Sequence, residues 1–112
     1  MISKSTLETF FKKILVIAEV NYDEFNSIDG QLGDGDLGIT ISKGLKEINE
    51  NLNKFEDDLS KIFFLCAQCF TKASSSSFGT LVAISFMTAA KHTKGKTNLD
   101  ITDLPTIINS VI

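Results

Sequence analysis

The sequence is poor in the residues that build several common sites. It has one histidine and two cysteines among 112 residues, so His92 cannot complete a structural zinc site with the Cys66-x-x-Cys69 pair. It shows no Ser-His-Asp or Cys-His catalytic arrangement, and we assign no catalytic side chain. The formal net charge is −3 and no Lys/Arg cluster is present, so we expect neither nucleic-acid binding nor membrane binding.

Long uncharged runs are also scarce. Lys4, Glu8 and Lys12 interrupt the N-terminal apolar residues, which excludes the usual secretory signal and makes a cytoplasmic location our expectation. Residues 73–90 are nearly uncharged but serine-rich at their start, which favours a buried core helix over a membrane span. Both cysteines lie in a helical apolar stripe, so we expect buried reduced thiols.

What is present is ordinary globular composition, with 43% hydrophobic and 22% charged residues, one proline and no tryptophan. Apolar spacing predicts a single all-α domain over residues 1–112 with about five helices. A capping box at Ser5-x-x-Glu8 predicts a first helix over about 5–25. The second helix is predicted over 41–55, and the third begins at a cap provided by Asp57 or Asp58. The fourth is predicted over about 77–91, with His92 exposed at its end and Gly95 in the break that follows. The fifth is predicted to open at Asp103 and Pro105.

Three carboxylates stand among glycines between the first two of these helices. Asp29, Asp34 and Asp36 supply hard oxygen ligands, and the glycines at positions 30, 33, 35 and 38 allow sharp turns and a close approach to a ligand. This layout favours a Mg²⁺-bound phosphate, with the free N–H groups of the next helix helping to bind it. An ordinary Asp-Gly turn is the alternative. An EF-hand is excluded, because Gly and Glu are missing at the required positions whether the count starts at Asp29 or at Asp34.

A serine run forms the second notable segment. Ser74-Ser75-Ser76-Ser77 is followed by Phe78-Gly79-Thr80 and an apolar helix. A serine run alone favours a linker or a helix cap. Together with the aspartate segment it favours phosphate binding, with two loops that precede helices converging on one nucleotide.

These two segments resemble the ADP-binding L subunit or domain of dihydroxyacetone kinases, an antiparallel helical bundle or barrel. The Asp-x4-Gly-Asp-Gly-Asp-x-Gly pattern is similar to the metal loop of that family, and Ala73-Ser74 to Gly79-Thr80 is similar to its phosphate loop, in the same order. The resemblance implies that Asp29, Asp34 and Asp36 hold two Mg²⁺ ions that bridge the phosphates of ADP or ATP. It further implies that Gly33, Gly35, Gly38, Thr40, Ser74, Ser75, Gly79 and Thr80 contact or support the nucleotide.

Three departures from the family pattern stand out. Leu37 replaces a common histidine, Thr40 replaces an asparagine, and Thr71-Lys72 with Ser75 replace glycines of the phosphate loop. The resemblance covers about the first half of a family domain of roughly 200 residues and roughly eight helices, so we expect a partial L-type domain. Later Arg-containing motifs of the family have no counterpart here.

The resemblance implies a phosphotransferase part if the site is complete. A K-type subunit would hold the acceptor dihydroxyacetone, and a phosphotransfer protein would recharge bound ADP if ATP is not used. Two alternatives stay open. The chain is a non-catalytic relative that associates with proteins or itself through exposed apolar helix faces, or it is the nucleotide domain of a related kinase such as a fatty-acid kinase.

Overall fold

The computed structural model describes residues 1–32 and 35–111, with only the backbone at positions 29, 31 and 32. Within these ranges the all-α prediction is confirmed, although six helices occur where about five were predicted. Their bounds are Lys4–Val20 (α1), Tyr22–Leu32 (α2), Leu37–Glu50 (α3), Leu59–Ala73 (α4), Ser77–His92 (α5) and Leu104–Val111 (α6).

Two short antiparallel strands, which the sequence did not predict, tie the N-terminus to the chain before α6. They are Ile2–Ser3 (β1) and Asn98–Leu99 (β2), with Ile2 opposite Leu99. Leu99 is only 1% exposed, so this pairing anchors both segments to the core. Single 3₁₀ turns occur at Leu52–Lys54 and Ile101–Asp103.

The predicted first helix over 5–25 is wrong because the chain divides at Asn21. The side-chain amide of Asn21 donates to the carbonyl of Ile17 at 2.8 Å, and its own carbonyl accepts from Phe25 at 2.9 Å as α2 begins. Asparagine competes for backbone groups in this way and ends helices. As a result, Asp29 and Gly30 lie in α2 and not in a loop.

Helix starts follow local capping chemistry, with one correction. Helix α1 begins one residue after Ser3, whose N–H donates to Thr6 Oγ1 at 3.2 Å, so Ser5 lies inside the helix and is not its cap. Asp58 caps α4 as predicted, since its Oδ1 accepts from the Ser60 N–H at 3.0 Å. Helix α6 opens at Leu104, between the predicted Asp103 and Pro105.

The core is centred on α4, which packs against α3 on one side and α5 on the other. The three-residue link between α4 and α5 makes them antiparallel neighbours. Ile48, Leu59, Ile62 and Cys66 are fully buried, and burial of each large aliphatic side chain stabilises the fold by roughly 1.5–3 kcal/mol. Phenylalanine rings from α1, α4, α5 and the chain before α4 meet beside them, namely Phe11, Phe55, Phe63, Phe70 and Phe86.

The prediction of buried reduced thiols is confirmed. Cys66 and Cys69 are both buried and unbridged. Burial raises the pKa of the Cys66 thiol, with a smaller contribution from Cys69. Burial, followed by the nearby Glu47 carboxylate, raises the pKa of Cys69 to about 11. Both side chains therefore act as small protonated hydrophobes at neutral pH.

The remaining predictions on the second half of the chain also hold. Helix α5 spans Ser77–His92, close to the predicted 77–91. His92 is exposed in its last turn, where a positive charge interacts favourably with the helix dipole. Gly95 has a φ of 72° in the turn that follows. None of the helices in the described ranges has the length and apolarity needed to cross a membrane.

Candidate functional site

Two short connections carry the predicted site residues. We call residues 33–36, between α2 and α3, the aspartate joint, and residues 74–76, between α4 and α5, the serine joint. Gly33, Asp34 and the side chain of Asp29 lie outside what the structure describes, so their predicted roles stay predictions. Gly35 has a φ of 76°, a conformation that glycine adopts without strain.

The start of α3 is capped by a side chain from α2. Asn26 Oδ1 accepts hydrogen bonds from the N–H of Gly38 at 2.7 Å and of Ile39 at 3.4 Å. Gly38 is essential to this contact, because a Cβ there would overlap the carbonyl oxygen of Tyr22 and press on Asn26. The start of α3 is thereby held against α2.

This cap corrects one expectation about phosphate binding. We expected free N–H groups at the start of α3 to help bind phosphate. The N–H groups of Gly38 and Ile39 are instead bonded to Asn26, and the Thr40 N–H donates to the Asp36 carbonyl at 3.0 Å. These three donors are therefore committed to the protein.

The serine joint, by contrast, caps its own helix. Ser76 Oγ accepts from the Gly79 N–H at 3.0 Å and from the Ser74 hydroxyl at 3.0 Å. The Ser76 N–H in turn donates to Ser74 Oγ at 3.2 Å. Ser75 is exposed between them, and the exposed Thr80 donates its hydroxyl to the Ser76 carbonyl at 3.1 Å.

Thr40 links the start of α3 to the serine joint. Its Oγ1 lies 3.1 Å from Ser76 Oγ and 3.5 Å from Ser74 Oγ, although 34 residues separate Thr40 from Ser74 along the chain. Thr40 is only 3% exposed, so its hydroxyl serves to join α3 to the serine joint. The start of α3 and the serine joint therefore lie side by side, whereas the convergence of the two loops on one nucleotide stays a prediction.

Gly79 keeps the serine joint close to α5. A Cβ at this position would lie 3.0 Å from Ser74 Oγ and 3.2 Å from Ser76 Oγ, which is tighter than ordinary side-chain contacts. Gly79 is itself buried. Of the predicted phosphate-loop residues, Ser74, Ser75, Gly79 and Thr80 therefore all lie within one helix start.

The start of α5 offers the donors that α3 does not. The N–H groups of Ser77 and Phe78 have no hydrogen-bond partner among the described residues, as expected in the first turn of a helix. They lie beside the exposed Ser75, at the positive end of the helix dipole. These two amides and the Ser75 hydroxyl are candidate donors to a phosphate group.

The side-chain atoms of the joint residues that could bind a metal are all oxygens, which suit Mg²⁺ better than a softer metal. Asp36 lies at the start of α3, one helical turn before Thr40, which contacts the serine joint. Among the side chains that the structure describes, no three of His, Cys, Asp or Glu lie together as a metal site. The predicted triad needs Asp29 and Asp34 beside Asp36, so it stays a prediction.

Sequence reasoning missed two residues of this region. Asn26 contacts Gly38 across 12 residues, a separation for which no local pattern exists. Ser76 was hidden among four consecutive serines, although a serine three positions before a helical glycine fits a helix cap. Both residues hold the joints in place through backbone N–H groups.

Comparison with known proteins gives a family for most of this chain. A scan of protein families matches residues 31–112 to the DAK2 domain. This range includes Asp34, Asp36 and the serine joint. Searches among curated proteins and among solved structures found no match. By the family match, the chain belongs to the DAK2 domain family, the family of the dihydroxyacetone kinase L-subunit domain.

Proposed function

We propose that this chain binds ADP or ATP with Mg²⁺ where the aspartate and serine joints meet, as an L-type subunit of a dihydroxyacetone kinase. The contact of Thr40 with Ser76 and Ser74 carries the proposal. It holds the start of α3, which follows Asp36, beside the hydroxyl-bearing start of α5. The DAK2 family match supports the same reading.

In this proposal the residues divide into those that bind and those that position. Asp29, Asp34 and Asp36 would hold Mg²⁺, which when bound neutralises charge on the phosphates. The Ser75 hydroxyl and the first amides of α5 bind phosphate oxygens. Thr40 and Ser76 hold the joints at a fixed spacing, so that the phosphoryl group is oriented for in-line transfer.

The acceptor would come from another chain. We assign dihydroxyacetone to a K-type partner, because in the family that the chain resembles the acceptor is held by a separate K-type subunit or domain. The phosphoryl source is either ATP or bound ADP that a phosphotransfer protein recharges. A kinase of the same family with another acceptor, such as a fatty acid, would share the nucleotide site. It would differ in the acceptor and in the partner chain that holds the acceptor.

Calorimetric titration of ADP and ATP, with and without Mg²⁺, tests the proposal. We expect Mg²⁺-dependent binding that weakens more than about tenfold in Asp36→Asn and in Asp34→Asn. Asp57→Asn, an exposed aspartate just before α4, is the matched control and should bind as the wild type does. Nucleotide binding that does not depend on Mg²⁺, or an equal loss of affinity in all three variants, would contradict the proposed metal role.

A second candidate function rests on an apolar stripe that begins in the first turn of α5. Phe78, Leu81 and Ile84 follow one another at three-residue spacing on α5 and are 40%, 56% and 54% exposed. An exposed apolar stripe of this kind is typical of an association surface. A folded chain that binds no nucleotide but forms a defined oligomer, dispersed by Leu81→Lys, would favour association over nucleotide binding.

A further inference from the structure

A groove between α4 and α5 begins at the end of these helices that is opposite the serine joint. This groove has a volume of about 550 Å³, within the range of ligand pockets in proteins. We call it the lysine groove, because Lys54, Lys61, Lys91 and Lys94 line it together with Phe64 and Met87, which we call its apolar floor. None of the nucleotide-site residues that the structure describes lines it.

The lysine groove is positively charged, although the chain as a whole is negatively charged. The chain as a whole has a net charge of −3, yet four of its 11 basic residues line this groove, and Glu56 is the one carboxylate beside them among the described side chains. Glu56 lies 3.4 Å from the Lys61 ammonium, so it offsets only one of the four. The groove therefore presents a local excess of positive charge.

The floor of the groove is apolar and partly exposed. Phe64 is 46% exposed and Met87 is 38% exposed, and aromatic and methionine side chains are enriched at protein interfaces. A second depression shares Phe64 and Met87 and continues along α4 to Thr71. From Ser60 to Thr71 the combined groove extends roughly 16 Å, about three turns of a helix.

We propose that the lysine groove docks an acidic amphipathic helix of another protein. Both helices contribute lysines to the groove, with Lys61 from α4 and Lys91 from α5. A helix with an apolar stripe flanked by carboxylates on both sides complements this arrangement in shape and in charge. A second copy fits less well, because the exposed Phe10 and Ile17 of α1 have Lys13 between them.

A synthetic acidic helix provides the test. The probe is a fluorescein-labelled 14-residue peptide with leucine at i, i+3, i+4 and i+7 and glutamate on both flanks; its matched partner has glutamine for every glutamate. We expect the glutamate peptide to bind by fluorescence anisotropy, with amide shifts at Phe64, Met87 and Lys91 in nuclear magnetic resonance spectra. The glutamine peptide should bind at least about tenfold more weakly.

Variants separate the groove from general charge effects. Lys91→Glu with Lys94→Glu should weaken the glutamate peptide at least about tenfold, whereas Lys12→Glu with Lys13→Glu, the same charge change on α1, should alter it less than about twofold. Phe64→Ser tests the apolar floor independently and should weaken both peptides. Nucleotide binding should be unchanged in all of these variants.

Several results would overturn the inference. They are the absence of peptide binding to the folded chain, equal binding of the two peptides, and amide shifts confined to residues outside the groove. Loss of self-association in the Lys91→Glu and Lys94→Glu variant, without an effect on the peptide, would assign the groove to a second copy of the chain instead.

Discussion

The two joints of the candidate site hold their helices in opposite ways. The aspartate joint leads into α3, whose Gly38 and Ile39 N–H groups are bonded to Asn26 of the preceding helix. The serine joint leads into α5 and supplies its own cap, Ser76. One helix start is therefore capped by a side chain from another helix, whereas the other is capped by a residue three positions earlier in the chain.

This difference assigns different chemistry to the two joints. With its first amides bonded to Asn26, the start of α3 contributes side chains to a ligand more readily than backbone donors. The start of α5 keeps the amides of Ser77 and Phe78 without a described partner. A site built from both would thus take carboxylates from one joint and phosphate donors from the other.

The largest expected effect comes from Gly38→Ala. The added Cβ would overlap the Tyr22 carbonyl oxygen, which belongs to the backbone of α2 and cannot rotate away. We expect a loss of about 3 kcal/mol in the free energy of unfolding, the upper end for overpacking. Urea denaturation followed by circular dichroism measures it.

Gly79→Ala is the matched change at the other joint. Its Cβ would approach the Ser74 and Ser76 side chains at 3.0–3.2 Å, and the gain in helix propensity of about 0.5–1 kcal/mol opposes that crowding. The free energy of unfolding should therefore change by less than about 1 kcal/mol. Equal losses in the two variants would contradict the distinction between a clamped joint and a self-capped one.

Removal of the external cap is the next largest change. Asn26→Ala leaves the N–H groups of Gly38 and Ile39 without their acceptor, and we expect a loss of about 1–2 kcal/mol in the free energy of unfolding. Asn26→Asp keeps an acceptor at the positive end of α3 and should stay within about 0.5 kcal/mol of wild type. A loss in Asn26→Asp as large as in Asn26→Ala would mean that packing, and not capping, makes Asn26 important.

The self-made cap should cost somewhat less to remove. Ser76→Ala deletes the acceptor for the Gly79 N–H and the partner of the Ser74 hydroxyl, and we expect a loss of about 1 kcal/mol in thermal or urea unfolding. Ser75→Ala is the control on the same loop. Its exposed side chain should change stability by less than about 0.5 kcal/mol. If the free energy of unfolding falls equally in the two alanine variants, the serine joint has no single cap.

Helix positions could be predicted from the sequence because they depend on local patterns. The apolar spacing after residue 58 predicted α4 and α5 closely, and Asp58 was recognised as a cap from its position alone. The break at Asn21 was missed, since the apolar pattern continues across it and only the hydrogen bonds of Asn21 end α1.

The site was predictable to a different degree at each joint. The serine joint caps its own helix, so its position followed from sequence, although the choice of Ser76 among four serines required the structure. The clamp at the aspartate joint joins Asn26 to Gly38, and Thr40 meets Ser76 across 36 residues. Contacts of this length depend on how helices pack, which apolar periodicity does not specify.

The smallest predicted effect tests whether the two joints are coupled. In a double-mutant cycle, Thr40→Val and Ser76→Ala should show a coupling of about 0.5–1 kcal/mol in the free energy of unfolding, because their hydroxyls lie in contact at 3.1 Å. Asn26→Ala with Ser76→Ala should be additive within about 0.3–0.5 kcal/mol, since Asn26 bonds only the start of α3 among the described contacts. Additivity in both cycles would mean that the joints are merely adjacent. Coupling confined to the Thr40 cycle would show that this buried hydroxyl couples the stability of the two helix starts.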